Sequence, residues 1–200
     1  MIKAVIFDFG GVVKADESVS LRDIASAYKI SQKDLIKKIK TPVKLFQEDI
    51  LTENQFWNKL SLSLAQPVPK NKNKLWRNGY EANFYIYPEI IELVKKLKNN
   101  GIKTAILSNT IKPHVNIINK FGGYNNFDVV VLSTRVKLTK PNPEIYLLTA
   151  KRLIVKPKEC VFIDDKKENL VPAKKLGMKI VLAKSPKQII RDIYQILNSY

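Results

Sequence analysis

The stretch Met1-Ile-Lys-Ala-Val-Ile-Phe-Asp-Phe-Gly-Gly-Val-Val13 decides the fold of this chain. Residues 2–7 form a short apolar run rich in β-branched side chains, which is typical of a strand buried on both faces of a parallel sheet. The run ends at Asp8, and Gly10 and Gly11 follow at once. Because open α/β sheets bind ligands at the carboxyl ends of their strands, Asp8 is a candidate site residue beside backbone that can turn sharply. Taken alone, Asp8 could equally be a polar residue that ends the strand.

The second half of the chain alternates between helical and strand patterns. Helices are predicted to begin near Pro88, Val115, Glu144, Leu170 and Pro186. The predicted strands between and after them cover residues 102–107, 127–132, 160–163 and 179–182. This alternation predicts an α/β fold with a Rossmann-like parallel sheet flanked by helices.

Residues 16–84 show helical patterns only. Ser31 is predicted to cap one helix, and Thr52 to Gln55 has the form of a capping box that opens another. Thr41-Pro42 is predicted to start a separate turn, and a helix is predicted through Leu75, Trp76 and Tyr80. The aromatic side chains of this segment are interpreted as its own core.

This segment therefore predicts a small helical insertion after the first strand. The predicted division is an α/β core domain of residues 1–15 and 85–200 and an inserted helical domain of residues 16–84, which the resemblance described below identifies as a cap domain.

Composition limits the classes of protein and of partner. The 200 residues carry 35 Lys and Arg against 18 Asp and Glu, a net charge of +17. The basic residues are dispersed and accompany no nucleic-acid-binding motif, which argues against a nucleic-acid partner. A single cysteine, Cys160, fits a reducing compartment, and no apolar run is long enough for a membrane span. We expect a soluble cytoplasmic protein, with monomer or homodimer left open.

Polar side chains follow three of the predicted strands. They are Asp8, the pair Ser108-Asn109 and the pair Asp164-Asp165, with Lys140 in the Pro-rich loop before the last of these strands. Because all parallel strands end at one edge, these groups can converge on one cleft. Carboxylates are the hard oxygen ligands that Mg²⁺ prefers, and the metal together with Lys140 would offset their mutual repulsion. The pattern predicts a phosphate-and-metal site.

Four motifs together resemble the haloacid dehalogenase-like hydrolase superfamily over essentially the whole chain. They are Phe7-Asp8-Phe9-Gly10-Gly11-Val12, Ile106-Leu107-Ser108-Asn109-Thr110, Lys140-Pro141-Asn142-Pro143 and Val161-Phe162-Ile163-Asp164-Asp165, with Asn169 and Ala173 beyond. The first two are most similar to the branch that contains the epoxide-hydrolase N-terminal phosphatase domain and a related sugar-phosphate phosphatase. The helical segment after the first strand matches the cap of that family.

The resemblance implies a role for each of these positions in a Mg²⁺-dependent phosphatase acting on a small phosphorylated metabolite. Asp8 would be the nucleophile that forms an aspartyl-phosphate. Ser108, Asn109 and Lys140 would bind the phosphoryl group. The ligands of Mg²⁺ would be Asp8, the backbone carbonyl of Gly10, Asp165 and, directly or through water, Asp164. Asn169 would hold these ligands from behind.

Gly10 departs from the family pattern, in which most phosphatases carry a second Asp as general acid and base. Its carbonyl can still bind the metal, but the acid is missing, which favours substrates with a good leaving group such as an acyl phosphate or an anomeric sugar phosphate. Asp16 or Glu17 could replace the acid.

Two other functions stay open at this point. One is 2-haloacid dehalogenation, in which Asp8 would attack carbon; the pair Asp164-Asp165 argues against it. The other is a phosphate-binding or regulatory module with little turnover. Of the remaining candidates, His114 is assigned to the surface or to a helix cap, Cys160 to packing, and Arg135 to a loop with its charge in solvent.

Overall fold

The computed structural model describes residues 1–15 and 19–199 and contains one five-stranded parallel sheet. The strands are β1 (Ala4–Phe7), β2 (Lys103–Ser108), β3 (Val129–Leu132), β4 (Cys160–Asp164) and β5 (Lys179–Leu182). Their spatial order is β3-β2-β1-β4-β5. The predicted α/β fold with a parallel sheet flanked by helices is therefore confirmed.

The helices divide into a group after β1 and a group that alternates with the later strands. The first group is α1 (Val19–Ala27), α2 (Gln32–Gln47), α3 (Glu53–Leu64), α4 (Lys72–Leu75) and α5 (Asn78–Ala82). The second is α6 (Pro88–Asn99), α7 (Lys112–Lys120), α8 (Ser133–Val136), α9 (Pro143–Leu153), α10 (Lys167–Lys175) and α11 (Pro186–Leu197), with a 3₁₀ turn at Pro157–Glu159 before β4.

Both faces of the sheet are buried because alternate residues of each strand point to opposite sides. In β1, Val5 and Phe7 join an apolar cluster with residues of α6, α7 and α11. Ala4 and Ile6 join a second cluster with residues of α9 and α10. This two-sided burial explains why the strands are nearly continuous apolar runs.

The strand register brings the polar strand ends together. Phe7 is paired with Ile106 of β2 on one side and with Ile163 of β4 on the other. The backbone N–H of Asp8 donates to the carbonyl of Ile163 at 2.9 Å. From the central strand β1 the strand order runs through β2 and β3 on one side and through β4 and β5 on the other. The order therefore reverses at the end of β1, and Asp8 lies at this topological switch point, where α/β sheets bind ligands.

Helices α1 to α5 form the helical cap. Its apolar cluster is built largely from cap side chains, including Phe56, Trp57 and Leu60, and Ile111 of the sheet layer joins it. Backbone hydrogen bonds from Ala15 to Tyr85 and from Tyr87 to Val13, both 2.9 Å, join the segments that lead into and out of the cap. The predicted insertion of a helical cap after the first strand is confirmed, and its exact domain limits stay a prediction.

Two local predictions for the cap are correct and two are wrong. Ser31 caps α2, and Thr52 with Gln55 forms the capping box of α3. However, Pro42 lies inside α2 and does not start a new turn. The buried face of α2 continues through it as Leu35, Ile39, Pro42 and Phe46. Burial of this continuous face at helical spacing offsets the missing N–H of proline.

The other wrong prediction is the single helix through Leu75, Trp76 and Tyr80. The structure has two short helices there, α4 and α5, separated at Trp76 and Arg77. Asn78 and Gly79, which follow, are weak helix formers. The break lets Trp76 enter the cap cluster while Tyr80 packs against the sheet layer through Phe84 and His114.

Arg135 lies in the short helix α8 and not in a loop, while its side chain is exposed as predicted. Asp16 and Glu17, the suggested replacements for the missing acid, lie outside the described residues. Among the described residues, no helix combines the length and apolarity needed to cross a membrane.

The helical cap offers a matched pair of leucines for testing its packing. Leu60 is fully buried and Leu62 is 81% exposed, and both lie on α3. We expect Leu60→Ala to lower the free energy of unfolding by about 2–5 kcal/mol, because it leaves a cavity in the cap cluster. Leu62→Ala should change it by less than about 0.5 kcal/mol. Urea denaturation followed by tryptophan fluorescence measures both, and equal losses would contradict the packing described here.

Candidate active site

The ammonium group of Lys140 lies between two carboxylates at the edge of the sheet. Its Nζ is 2.8 Å from Oδ1 of Asp8 and 2.6 Å from Oδ2 of Asp164. Asp8 follows β1, Asp164 ends β4, and Lys140 belongs to the loop before α9. All three are buried. The cation therefore offsets the repulsion between two carboxylates that water cannot screen.

Asp164 makes further contacts that fix its orientation. The side-chain nitrogen of Asn169 donates to both oxygens of Asp164, at 3.0 and 3.1 Å, and the backbone N–H of Lys166 donates to Oδ1 at 2.8 Å. Asn169 is held in turn by Tyr146, whose hydroxyl donates to the backbone carbonyl of Asn169 at 2.7 Å. Both oxygens of Asp164 thus accept hydrogen bonds from nitrogen donors. Asp164 thereby fixes the side chain of Lys140 and the start of α10, where Lys166 and Asn169 lie.

Asp165 lies directly against Gly11. A Cβ on Gly11 would lie 2.9 Å from Cγ and 3.0 Å from Oδ2 of Asp165, and the φ angle of Gly11 is +72°. Both facts favour glycine there. One oxygen each from Asp8, Asp164 and Asp165 lie within 4.8 Å of one another. A group of three carboxylates at this spacing is a chemically suitable place for a divalent cation.

The end of β2 supplies the other polar groups. The side-chain amide of Asn109 holds the backbone of Lys140 on both sides: it donates to the Lys140 carbonyl at 2.9 Å and accepts from the Lys140 N–H at 2.8 Å. Ser108, one residue earlier, is buried and faces the same cavity as Asp8. Asn109 therefore ties the Lys140 loop to the edge of the sheet.

The pKa values of Asp8 and Lys140 are both raised, but for different reasons: burial dominates at Asp8, and the neighbouring carboxylates dominate at Lys140. Burial raises the pKa of Asp8 to about 6, although Lys140 beside it lowers the pKa in part. Burial alone would lower the pKa of Lys140, but Asp8 and Asp164 together raise it above its ordinary value. Lys140 is accordingly a permanent cation, and Asp8 is largely ionised at neutral pH.

The site opens into a cavity of about 1040 Å³ between the sheet edge and the helical cap. The cap contributes residues of α2, the adjoining Glu48, and the aromatic side chains of Trp76 and Tyr80. The sheet edge contributes all the predicted site residues except Asp164, namely Asp8, Gly10, Ser108, Asn109, Lys140, Asp165 and Asn169. Asp164 joins them through its contact with Lys140. The structure thus brings the predicted residues together, and their individual roles stay predictions.

Several cavity residues were not found from the sequence. Lys14 is buried, and its Nζ lies 4.8 Å from the centre of the Tyr80 ring. Glu48 and Thr139 come from the cap and from the Lys140 loop, and both line the cavity. Only Thr139 carried a signal in the sequence, its position next to Lys140. Lys14 and Glu48 lie close in sequence to other charged residues, so no local pattern distinguished them as cavity residues.

His114 was assigned to the surface or to a helix cap, and this prediction is wrong. Its ring stacks on Tyr80 with centroids 3.8 Å apart, and its Nε2 donates to the carbonyl of Trp76 at 3.0 Å. It therefore joins α7 to the helical cap in the wall of the cavity. Cys160 is fully buried at the start of β4, in agreement with its assignment to packing.

Comparison with known proteins agrees with this arrangement. Residues 2–177 match the haloacid dehalogenase-like hydrolase family. The phosphorylated carbohydrates phosphatase of Thermotoga maritima is 28% identical over 183 residues, which cover 89% of this chain and 83% of that protein. Bifunctional epoxide hydrolase 2 of Sus scrofa is 28% identical over 127 residues, 55% of this chain but only 20% of that protein.

A similar fold occurs in a solved enzyme of the same family from Bacteroides thetaiotaomicron. The two structures superpose with a TM-score of 0.73 at 24% identity, covering 92% of this chain and 94% of that one. The Bacteroides enzyme has also been solved in complex with magnesium and inorganic phosphate. The likeness confirms the Rossmann-like core with a helical insertion after β1.

The half-buried position of His114 between α7 and the helical cap predicts a pH dependence of stability. Burial lowers its pKa to about 4, whereas an unfolded histidine titrates near its ordinary value of 6.5. Between these values the unfolded chain binds the proton and the folded chain does not, so stability is lost as the pH falls. From pH 7 to pH 5 this one residue should cost about 2 kcal/mol.

His114→Phe keeps the ring and removes the titrating group, so it isolates this contribution from that of other groups. We expect the loss of unfolding free energy from pH 7 to pH 5, measured by urea denaturation, to be about 2 kcal/mol smaller in His114→Phe than in the parent. An identical pH dependence in both proteins would show that His114 does not remain neutral in the folded state.

Proposed function

Because the chain belongs to the haloacid dehalogenase-like hydrolases, we propose that it is a Mg²⁺-dependent phosphatase that acts on a small phosphorylated metabolite through an aspartyl-phosphate. The observation that carries the proposal is the placement of Lys140 between Asp8 and Asp164 on the floor of a cavity that also contains Asp165 and Ser108. The relatives that act on phosphorylated carbohydrates support a sugar phosphate as the substrate class.

The residues present fit a magnesium ion. Asp8 and Asp165 offer hard carboxylate oxygens and line the cavity, and Gly10, whose backbone carbonyl would be a further ligand, lines it as well. Asp165 packs closely against Gly11, and one of its oxygens lies within 4.8 Å of an oxygen of Asp8. Asp164 would contribute less directly, since its oxygens accept hydrogen bonds from Lys140 and Asn169. When bound, Mg²⁺ would neutralise charge on the phosphoryl oxygens and on Asp8.

The proposed reaction proceeds in two displacements at phosphorus. An oxygen of Asp8 attacks the phosphoryl group, the bond to the ester oxygen breaks, and the leaving group departs with that electron pair; a basic leaving group then takes up a proton from solvent water. Water then attacks the phosphorus of the aspartyl-phosphate, which releases inorganic phosphate and restores Asp8. Lys140 stabilises the negative charge during both steps, and Ser108 donates a hydrogen bond to the phosphoryl oxygens.

Gly10 sets the limit on this chemistry. A general acid at this position would protonate the leaving oxygen, and glycine cannot do so. We therefore propose that the preferred substrates are compounds with a good leaving group, such as acyl phosphates or anomeric sugar phosphates. The same residue favours the alternative of a phosphate-binding module with little turnover, which the measurements below separate from an active phosphatase.

The first test is phosphate release from a panel of phosphorylated metabolites, acetyl phosphate and p-nitrophenyl phosphate, with and without Mg²⁺. Asp8→Asn should lower kcat by at least about 10³-fold, because it removes the nucleophile. The control is Asp192→Asn on α11, outside the cavity, which should retain the parent rate. Release that persists in Asp8→Asn would exclude the aspartyl-phosphate, and no release by the parent would favour the binding module.

The second test restores the missing acid. A Cβ on Gly10 would meet no atom within 4 Å, so a side chain can be accommodated there. Gly10→Asp should raise kcat on an alkyl phosphate by about tenfold or more, because a positioned acid contributes typically ~10²–10⁴-fold where leaving-group protonation limits the rate. It should have little effect on p-nitrophenyl phosphate, whose leaving group needs no proton.

Gly10→Asn is the matched control, because it has the same shape and cannot donate a carboxylic proton. Equal rates for Gly10→Asp and Gly10→Asn on the alkyl phosphate would show that another group already supplies the acid.

A further inference from the structure

One hydrogen bond joins the helical cap to the loop that carries Lys140. The hydroxyl of Thr139 donates to Oε1 of Glu48 at 2.6 Å, across 91 residues of sequence. Glu48 immediately follows α2 in the cap, and Thr139 precedes Lys140. Thr139 is only 3% exposed, and the Glu48 side chain is 14% exposed. A short bond to a carboxylate that is shielded from water is among the stronger hydrogen bonds of proteins.

The position of Lys140 depends on contacts along the whole residue. Asn109 holds its backbone N–H and carbonyl, and Asp8 and Asp164 hold its ammonium group. These contacts come from the ends of β1, β2 and β4. The Glu48–Thr139 bond adds a contact from the opposite wall of the cavity, one residue away from Lys140. The cap is thereby connected to the residue that faces the nucleophile.

A neighbouring contact between the cap and the sheet layer lacks this connection. Asp49, the residue after Glu48, forms an ion pair of 2.6 Å with Lys112 at the start of α7. Lys112 is 63% exposed at its side chain, and neither residue lines the cavity. Adjacent residues of the cap therefore contact different parts of the sheet layer, one at the Lys140 loop and one on the surface.

We propose that Glu48 and Thr139 are positioning residues that couple the seating of the helical cap over the cavity to the placement of Lys140 against Asp8. The proposal rests on the phosphatase function proposed above. When the cap is seated, the Glu48 carboxylate holds the Lys140 loop in the geometry that the reaction needs. When the cap lifts away to admit substrate or release product, the loop loses that contact. Small displacements of a catalytic group are costly to rate, which gives the bond its effect.

The test compares steady-state kinetics of four variants and of the control Asp49→Asn with the parent, on p-nitrophenyl phosphate at saturating Mg²⁺. Thr139→Val removes the donor with little change of shape, and Glu48→Ala removes the acceptor. The double variant removes both. Thr139→Ser keeps the hydroxyl and should restore activity. Melting temperatures are measured for each, so that loss of folded protein is separated from loss of rate.

The expected result is a kcat about tenfold lower in Thr139→Val and in Glu48→Ala, with KM changed by less than about twofold. The double variant should be no slower than either single variant, since both substitutions remove the same bond. Thr139→Ser should lie within about twofold of the parent. Asp49→Asn, which weakens the neighbouring ion pair and keeps a residue type tolerant of the left-handed backbone at this position, should keep the parent kcat.

Three results would overturn the inference. Multiplicative losses in the double variant would mean that the two residues act independently, for example by binding substrate. A rise of KM at constant kcat would also indicate direct substrate binding. An equal loss in Asp49→Asn would mean that any cap contact has the same effect. An inactive parent would instead refute the proposed function, and the inference with it, so the two failures are distinguishable.

Discussion

The buried ammonium group of Lys140 is the interaction on which the arrangement of this site depends. Burying a charge costs several kcal/mol, and the cost is recovered only when opposite charges and hydrogen bonds surround it. Here Asp8 and Asp164 provide both, at 2.8 and 2.6 Å. Removal of one partner of such a cluster typically costs about 3–5 kcal/mol, because the remaining charge is left buried and uncompensated. Stability and chemistry therefore constrain the same three residues.

This cluster requires a parallel sheet with a particular register. Asp8 and Asp164 end neighbouring strands, and the pairing of Phe7 with Ile163 sets them side by side. A shift by one residue would turn one carboxylate to the opposite face of the sheet. The two apolar clusters on the faces of the sheet oppose such a shift, because it would move Val5 and Phe7 out of the cluster in which they pack and onto the other face of the sheet. The core thus maintains the geometry of the polar edge.

The helical cap completes the site from the opposite side. Its own apolar cluster makes it a packed unit, while Ile111, His114 and Thr139 connect it to the sheet layer. These contacts lie around a cavity of about 1040 Å³, large enough for a metabolite of modest size. Lys14, Tyr80 and His114 lie together in the lining of this cavity.

Local sequence patterns were sufficient to predict the strands, the helical insertion after β1 and the polar residues at the sheet edge. Apolar β-branched runs and the side chains that follow them report burial and strand ends, which are local properties. The polar residues Asp8, Ser108, Lys140 and Asp165 could be grouped in advance because parallel strands end at one edge. The helix through Pro42 was missed because burial of a continuous apolar face, a tertiary effect, offset a local signal for a break.

The contacts across the cavity could not be predicted in this way. The contacts of His114 with Tyr80 and of Glu48 with Thr139 join segments separated by 34 and 91 residues, and no local pattern encodes them. They arise from how the helical cap is seated on the sheet layer, which depends on the shapes of two packed surfaces. The hydrogen bonds that Asp164 accepts from Lys140 and Asn169 are likewise not encoded locally, because they depend on the directions of three side chains in the folded core.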